Sequence, residues 1–94
     1  MSVLVIDVGT SGLRASVVRD TGAIEHLRYE AFASQSPAPG LVEFDAQLMR
    51  DAVLRVSTAA LQAAGSVSAV GITNQRASTI MWDKATGKIG RAHV

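Results

Sequence analysis

The hydrophobic pattern at the start of the chain predicts three strands that follow one another in an antiparallel meander. Residues 3–6 are consecutive aliphatic side chains, as in a strand covered on both faces, although an edge-free strand of a β-sandwich would have the same pattern. Residues 13–19 form a second apolar segment, and residues 23–33 alternate between apolar and charged positions as a half-exposed antiparallel strand does. The turn-forming residues 20–22 join these two segments.

The middle of the chain has the spacing of an amphipathic helix that leads into a fourth strand. Apolar side chains recur at helical intervals between positions 46 and 64. The stripe that they form, which we expect to lie in the core, is Leu48, Met49, Ala52, Val53, Val56, Ala60 and Leu61. Asp45 is the expected N-cap, and Gly65 is the expected end of the helix. Because residues 67–73 then read as a strand, the helix is predicted to be a crossover connection.

The last part of the chain predicts two short strands joined by a turn. Residues 78–82 and 89–94 are the strand segments, and residues 83–88 have the composition of a turn. The proline-containing residues 34–40 form a loop that is too short to be a domain linker. The chain therefore has the pattern of one α/β unit.

Two polar clusters each follow the carboxyl end of an apolar strand, where ligands tend to bind in open α/β sheets. The first cluster contains Asp7, the turn at residues 9–12 and Arg14. Backbone N–H groups of this turn could form an anion-binding concavity, and an aspartate is a suitable oxygen ligand for Mg²⁺. The hydroxyls of Thr10 and Ser11 can donate hydrogen bonds to phosphate oxygens, which Arg14 can also bind. The second cluster, at residues 74–76, follows the fourth strand.

Composition narrows the possible function without identifying it. The chain has 94 residues, 48% of them hydrophobic, which is typical of one small globular domain or part of a larger one. A net charge of +1 without a basic stripe argues against nucleic acid as a partner. The absence of cysteine excludes disulfides and is compatible with a cytoplasmic protein. No apolar run approaches the roughly 20 residues needed to cross a bilayer, so no membrane partner is expected.

Three segments together resemble the amino-terminal end of the FGGY family of sugar and polyol kinases, with glycerol kinase the nearest member. Residues 6–14, IDVGTSGLR, resemble the family's first phosphate motif. Residues 39–45, PGLVEFD, resemble the segment before its first long helix. Residues 70–76, VGITNQR, together with residues 79–88, resemble a third family segment. The order and spacing of these segments agree over nearly the whole chain.

The resemblance implies a fold and an activity. The implied fold is α/β and ribonuclease H-like, as in the actin, Hsp70 and sugar kinase superfamily, with a mixed sheet, a β-meander and a crossover helix. Residues 1–94 would be the amino-terminal part of the first kinase domain. The implied reaction transfers the γ-phosphoryl group of ATP to a sugar or polyol hydroxyl, with Mg²⁺ as the metal ion.

Site residues are carried over from the matching motif positions. Nucleotide phosphate contacts are implied for Thr10, Ser11, Gly12 and Arg14. Asp7 matches the aspartate associated with Mg²⁺. The acceptor substrate is expected to face Gln75 and Arg76.

Two departures from the family pattern lead to a second hypothesis. Ala77 stands where glycerol kinases have a glutamate that binds the polyol, which puts glycerol as the acceptor in doubt. Family members are also several times longer, and the catalytic base is expected beyond residue 94, so the chain alone is predicted to be inactive. The alternative is therefore a non-catalytic, kinase-like module that self-associates or binds phosphate weakly. Exposed strand edges would favour a homo-oligomer in that case.

Overall fold

The computed structural model describes residues 1–93, which form a four-stranded sheet, one helix and a two-stranded hairpin. In chain order the elements are β1 (Val3–Val8), β2 (Gly12–Val18), β3 (Ile24–Ala31), α1 (Ala46–Ala64), β4 (Ala69–Thr73), β5 (Thr79–Trp82) and β6 (Ile89–His93). All six strands and the helix that the pattern predicts are present; Val94, included in the predicted sixth strand, lies outside the described residues.

The strand order β3-β2-β1-β4 makes β1 one of the two central strands of the larger sheet. β1 pairs antiparallel with β2 and parallel with β4, and β2 pairs antiparallel with β3. The meander and the crossover helix are thus confirmed, and the sheet is mixed as predicted. The second sheet contains only β5 and β6, which pair antiparallel.

Helix α1 begins and ends at the residues that its sequence signals predict. The Asp45 carboxylate accepts hydrogen bonds from the backbone N–H groups of Gln47 and Leu48, at 2.9 and 3.1 Å. These bonds satisfy two donors that a helix leaves unpaired at its first turn. Gly65 ends the helix with a φ of 91°, and its N–H donates to the Leu61 carbonyl. Glycine adopts this conformation with little steric cost.

The core lies between α1 and one face of the sheet. From the sheet it contains Leu4, Ile6, Leu13, Ala15 and Val17, and from the helix Ala52, Val56 and Ala60. The alanines on both sides are small, which allows the helix backbone to approach the strands closely.

The other face of β1 differs from the expectation of a strand covered on both sides. Val3 and Val5 alternate with the buried Leu4 and Ile6 and are only half-buried. Among residues 1–93, α1 is the only helix, and it packs on the opposite face. A run of aliphatic residues does not reveal how many of its faces are covered, and within the part of the chain that the structure describes no helix covers this face.

Leu48 was predicted to belong to the core stripe of α1, and this prediction is wrong. Its side chain is 59% exposed, whereas Ala52, one turn later, is buried. Leu48 lies in the first turns of the helix, beside a cavity that Ala31 and Phe32 also line. β3 ends at Ala31, so among residues 1–93 this strand does not continue past the cavity beside Leu48.

The edge strand β3 contains a bulge that its alternating pattern does not predict. Between the pairs Ala15–Arg28 and Val17–Glu25, β3 has one more residue than β2. His26, within this bulge, has a φ of 56°. The extra residue changes which side chains of β3 share a face with those of β2.

The β5–β6 hairpin is attached to the start of α1. Phe44, Ala46 and Ala92 form a small buried cluster with Met49 and Ile89. The Phe44 N–H also donates to the Ala92 carbonyl at 3.0 Å. These contacts hold β6 against the start of the helix. Within the described residues, no helix is long and apolar enough to cross a membrane.

Candidate functional site

The two polar clusters lie together because β1 and β4 are parallel neighbours. Asp7, near the end of β1, is paired with Thr73 at the end of β4. The turn at residues 9–12 and the loop that begins at residue 74 therefore leave the same edge of the sheet. A direct hydrogen bond joins them: the side-chain nitrogen of Gln75 donates to the Gly9 carbonyl at 2.6 Å.

The turn at residues 9–12, here called the phosphate turn, is closed by backbone hydrogen bonds. The Gly9 N–H donates to the Gly12 carbonyl at 2.9 Å, which removes this N–H from the group available to an anion. The Ser11 carbonyl accepts from the Phe32 N–H at 3.2 Å, so the start of the following loop also holds the turn. Thr10 and Ser11 are exposed, so their hydroxyls can meet a ligand from solvent.

Both glycines of the phosphate turn are explained by close contacts. Neither has a positive φ, so neither is required by backbone conformation. A Cβ atom on Gly12 would lie 2.4 Å from the Tyr29 hydroxyl oxygen and within 2.8 Å of two ring carbons. On Gly9 it would lie 3.1 Å from the Gly12 carbonyl oxygen. The turn is compact because these positions have no side chain.

Asp7 and Arg14 lie opposite one another on the face of the sheet that α1 does not cover. They are cross-strand partners in the β1–β2 register, and their neighbours Ile6 and Leu13 point into the core. The Arg14 side chain is exposed, and its guanidinium carbon lies 5.7 Å from the centroid of the Tyr29 ring, a cation–π distance. A carboxylate and a held guanidinium thus flank one side of the phosphate turn.

Asp7 offers one carboxylate to a magnesium ion, so the other oxygen ligands would have to come from water and from a bound phosphate. Among residues 1–93, no group of three or more acidic, histidine or cysteine side chains could hold a metal ion. Mg²⁺ commonly binds one or two carboxylates together with waters and substrate phosphates. The half-buried Asp7 carboxylate beside the phosphate turn fits that mode of binding.

The loop after β4 separates the two residues that were predicted to face the acceptor. Arg76 is exposed, as is Ala77 next to it. Gln75 is half-buried: besides its bond to Gly9, its side-chain oxygen accepts a hydrogen bond from the Ser78 hydroxyl. Both polar atoms of the Gln75 amide are therefore already bonded within the protein.

Tyr29 and Ser78 belong to this site but were not identified from the sequence. Tyr29 reaches Gly12 and Arg14 only through the β2–β3 register, which depends on the bulge. Ser78 follows Gln75 by three residues, a spacing common in polar loops, and gives no signal by itself. Only the folded arrangement associates these side chains with the phosphate turn.

Comparison with known proteins agrees with this architecture. Residues 2–94 match the N-terminal domain of the FGGY family of carbohydrate kinases. The chain is 41% identical over 90 residues to the glycerol kinase of Bacillus licheniformis and 40% identical over 90 residues to that of Trichlorobacter lovleyi. Each alignment covers 92% of this chain but only 18% of the relative.

Solved structures give the same result for the fold. The glycerol kinase of Plasmodium falciparum, crystallised with ADP, superposes with a TM-score of 0.83 at 25% identity, covering 99% of this chain and 20% of that one. A ligand-bound xylulose kinase from Lactobacillus acidophilus gives a TM-score of 0.88 at 19% identity. The match covers 98% of this chain and 19% of that one. The mixed sheet is that of the actin, Hsp70 and sugar kinase fold, and the 94 residues are part of such a domain. The chain spans about a fifth of the length of these proteins and belongs to the FGGY family of carbohydrate kinases.

Proposed function

We propose that this chain provides the first phosphate motif and part of the acceptor site of an ATP-dependent sugar or polyol kinase. The observation that carries the proposal is the junction of the phosphate turn with the β4–β5 loop at one edge of the sheet, made by Gln75 and Gly9. Phosphoryl transfer depends mainly on positioning and on neutralising charge, so two ligand-binding segments must be held at a constant separation. This junction supplies such a constraint.

In the proposed site, the phosphate turn and its flanking charges bind the nucleotide. Thr10, Ser11 and the backbone at Gly12 donate hydrogen bonds to phosphate oxygens, and Arg14 supplies positive charge. Asp7 holds Mg²⁺ directly or through its waters, and the ion neutralises charge on the phosphates when it is bound. ATP as donor is supported by the family and by the ADP crystallised with the Plasmodium falciparum glycerol kinase.

The acceptor side of the proposed site is formed by the exposed Arg76. Its guanidinium can donate several hydrogen bonds to sugar or polyol hydroxyls. Ala77, next to it, has no polar side chain, so it cannot form the hydrogen bonds that a carboxylate at this position would form. We therefore propose an acceptor other than glycerol. We also propose a cytoplasmic location, because ATP is available there.

An ATP-dependent phosphorylation assay over a panel of sugars and polyols tests the proposal. It is performed on the 94-residue chain and on any longer reading frame that contains it. We expect no turnover by the chain alone and turnover by the longer form, with Asp7→Asn and Arg76→Ala both reducing it. A longer form that phosphorylates none of the panel would contradict the proposal. Turnover by the 94-residue chain alone would show that the catalytic base, expected beyond residue 94, is not needed.

A second candidate function, self-association without catalysis, is favoured by the free edge of β4. Within residues 1–93, β4 pairs only with β1, and it contains no charged or proline residue that would discourage pairing. Val70 and Ile72 are 55% and 71% exposed. An uncharged edge strand with exposed apolar side chains is a surface on which a second copy can add a strand.

A further inference from the structure

The sequence resemblance assigned Gln75 to the acceptor substrate, but its contacts support another role. We infer that Gln75, which is also bonded to Ser78, is a positioning residue that holds the phosphate turn in place from the β4–β5 loop. This inference rests on the proposed function, because it says how the proposed nucleotide and acceptor segments are kept in register. It does not require Gln75 to touch either ligand.

The direction of both hydrogen bonds is determined by chemistry. The Gly9 carbonyl oxygen can only accept, so the amide nitrogen of Gln75 must face it, at 2.6 Å. The amide oxygen then faces Ser78, whose hydroxyl donates to it. The Gly9 carbonyl therefore sets the orientation of the amide, and Ser78, whose hydroxyl can donate or accept, adds a second bond that holds the side chain in place. These two bonds use one of the two N–H groups of the amide and one of the two acceptor sites of its oxygen, and they hold the side chain between the turn and the loop.

The surroundings of Gln75 strengthen its bond to Gly9. A cavity of about 110 Å³ beside it is lined by Asn74, Gln75 and Ser78 and by apolar side chains from β1, β5, α1 and the segment before α1. Those apolar side chains are Val8, Phe44, Met49 and Ile80. An amide next to such a surface has less access to water, so a lost internal hydrogen bond is harder to replace.

The bond also joins parts of the chain that are far apart in sequence. Gln75 and Gly9 are separated by 66 residues, and the Gly9 N–H already closes the phosphate turn onto Gly12. Both polar groups of the Gly9 backbone are thus used, one within the turn and one toward the loop. A displacement of the loop next to Arg76 would pull on the Gly9 carbonyl and so move the turn.

Gln75→Glu tests this inference with little change in size. The variant keeps an acceptor for Ser78 but replaces the donor to Gly9 with a carboxylate oxygen, which repels the carbonyl. Ser78→Ala removes the second anchoring bond of the side chain and keeps the amide. Gln62→Glu makes the same chemical change on the exposed surface of α1 and is the matched control.

Two measurements on the 94-residue chain read out the effect. Amide chemical shifts and hydrogen exchange by NMR report on residues 9–12, and a titration with MgADP reports on nucleotide binding. We expect Gln75→Glu to shift the amides of the phosphate turn, to speed their exchange and to weaken MgADP binding at least about fivefold, the factor expected for one net hydrogen bond. Ser78→Ala should have the same effects to a smaller extent, and Gln62→Glu should have none.

The outcomes separate this inference from the proposed function. If the wild-type chain does not bind MgADP but the turn amides respond to Gln75→Glu, the positioning role stands and the nucleotide-binding proposal loses support. If Gln75→Glu leaves the turn amides as they are in Gln62→Glu, the inference is overturned, whatever happens to MgADP binding. If Gln75→Glu unfolds the chain, Ser78→Ala decides: an unchanged turn in that variant also overturns the inference.

Discussion

A methyl group at Gly12 is predicted to destabilise the chain, because the ring of Tyr29 occupies the space where the Cβ atom would lie. The Gly12→Ala variant would place that atom 2.4 Å from the Tyr29 hydroxyl oxygen and 2.7 and 2.8 Å from two ring carbons. Ordinary contacts between such atoms are about 3.5 Å or longer. Tyr29 lies on the edge strand β3, so its side chain can move aside. The free-energy cost of Gly12→Ala is then the cost of that movement.

The size of this cost follows from what Tyr29 loses. Moving the ring away from Arg14 removes a cation–π contact worth about 0.5–1 kcal/mol at an exposed site. A ring forced into a less favourable rotamer costs about 0.5–1.5 kcal/mol more. Replacing glycine by alanine in a strand returns about 0.5–1 kcal/mol of backbone entropy. Gly71→Ala, whose Cβ would meet only Val3 at 4.0 Å, has that gain without a clash and is the matched control.

Urea denaturation of the two variants measures the difference. Gly12→Ala should be less stable than Gly71→Ala by about 1–2 kcal/mol, which shifts the midpoint by about 1 M urea for a small domain. Tyr29→Ala should remove the clash, so that Gly12→Ala costs little in that background. Equal midpoints for the two glycine variants would refute the reasoning, as would a double variant whose loss equals the sum of the single losses.

Three further predictions concern the helix cap, the hairpin turn and the open edge of the sheet. Asp45→Ala should destabilise the chain by about 1 kcal/mol in the same urea assay, because the N-cap bonds to Gln47 and Leu48 are lost; Asp45→Asn should retain most of the stability. Hydrogen bonds from the backbone N–H groups of Thr86 and Ala85 lower the pKa of Asp83 below its ordinary value of 3.8. The stabilisation of the turn is thus present above pH 3.8 and lost as pH falls through the lowered value. The protection of hairpin amides, relative to their intrinsic exchange rate at each pH, should therefore fall there in the wild type and much less in Asp83→Asn. Ile72→Lys should reduce self-association in sedimentation velocity, since it places a charge on the edge strand; a wild-type chain that is monomeric at high concentration would contradict this.

The elements of this protein could be predicted from the sequence because their signals are local. A capping aspartate, helical spacing and a terminal glycine lie within about twenty residues, and each acts on backbone groups nearby. The same holds for the turns that separate the strands. The polar clusters after β1 and β4 could also be placed at one edge of the sheet, because a crossover makes these strands parallel.

The sequence alone thus determined the meander, the crossover helix and the candidate phosphate turn at Asp7–Arg14, whose motif also indicated the FGGY family. Only the tertiary structure decided that α1 covers one face of β1, that Leu48 is exposed, that Tyr29 lies over Gly12, and that Gln75 bonds to Gly9. The physical reason is that each of these features depends on how segments far apart in the chain pack against one another. Register, a single-residue bulge and the direction of one side-chain amide determine them, and none of these leaves a periodic pattern in the sequence.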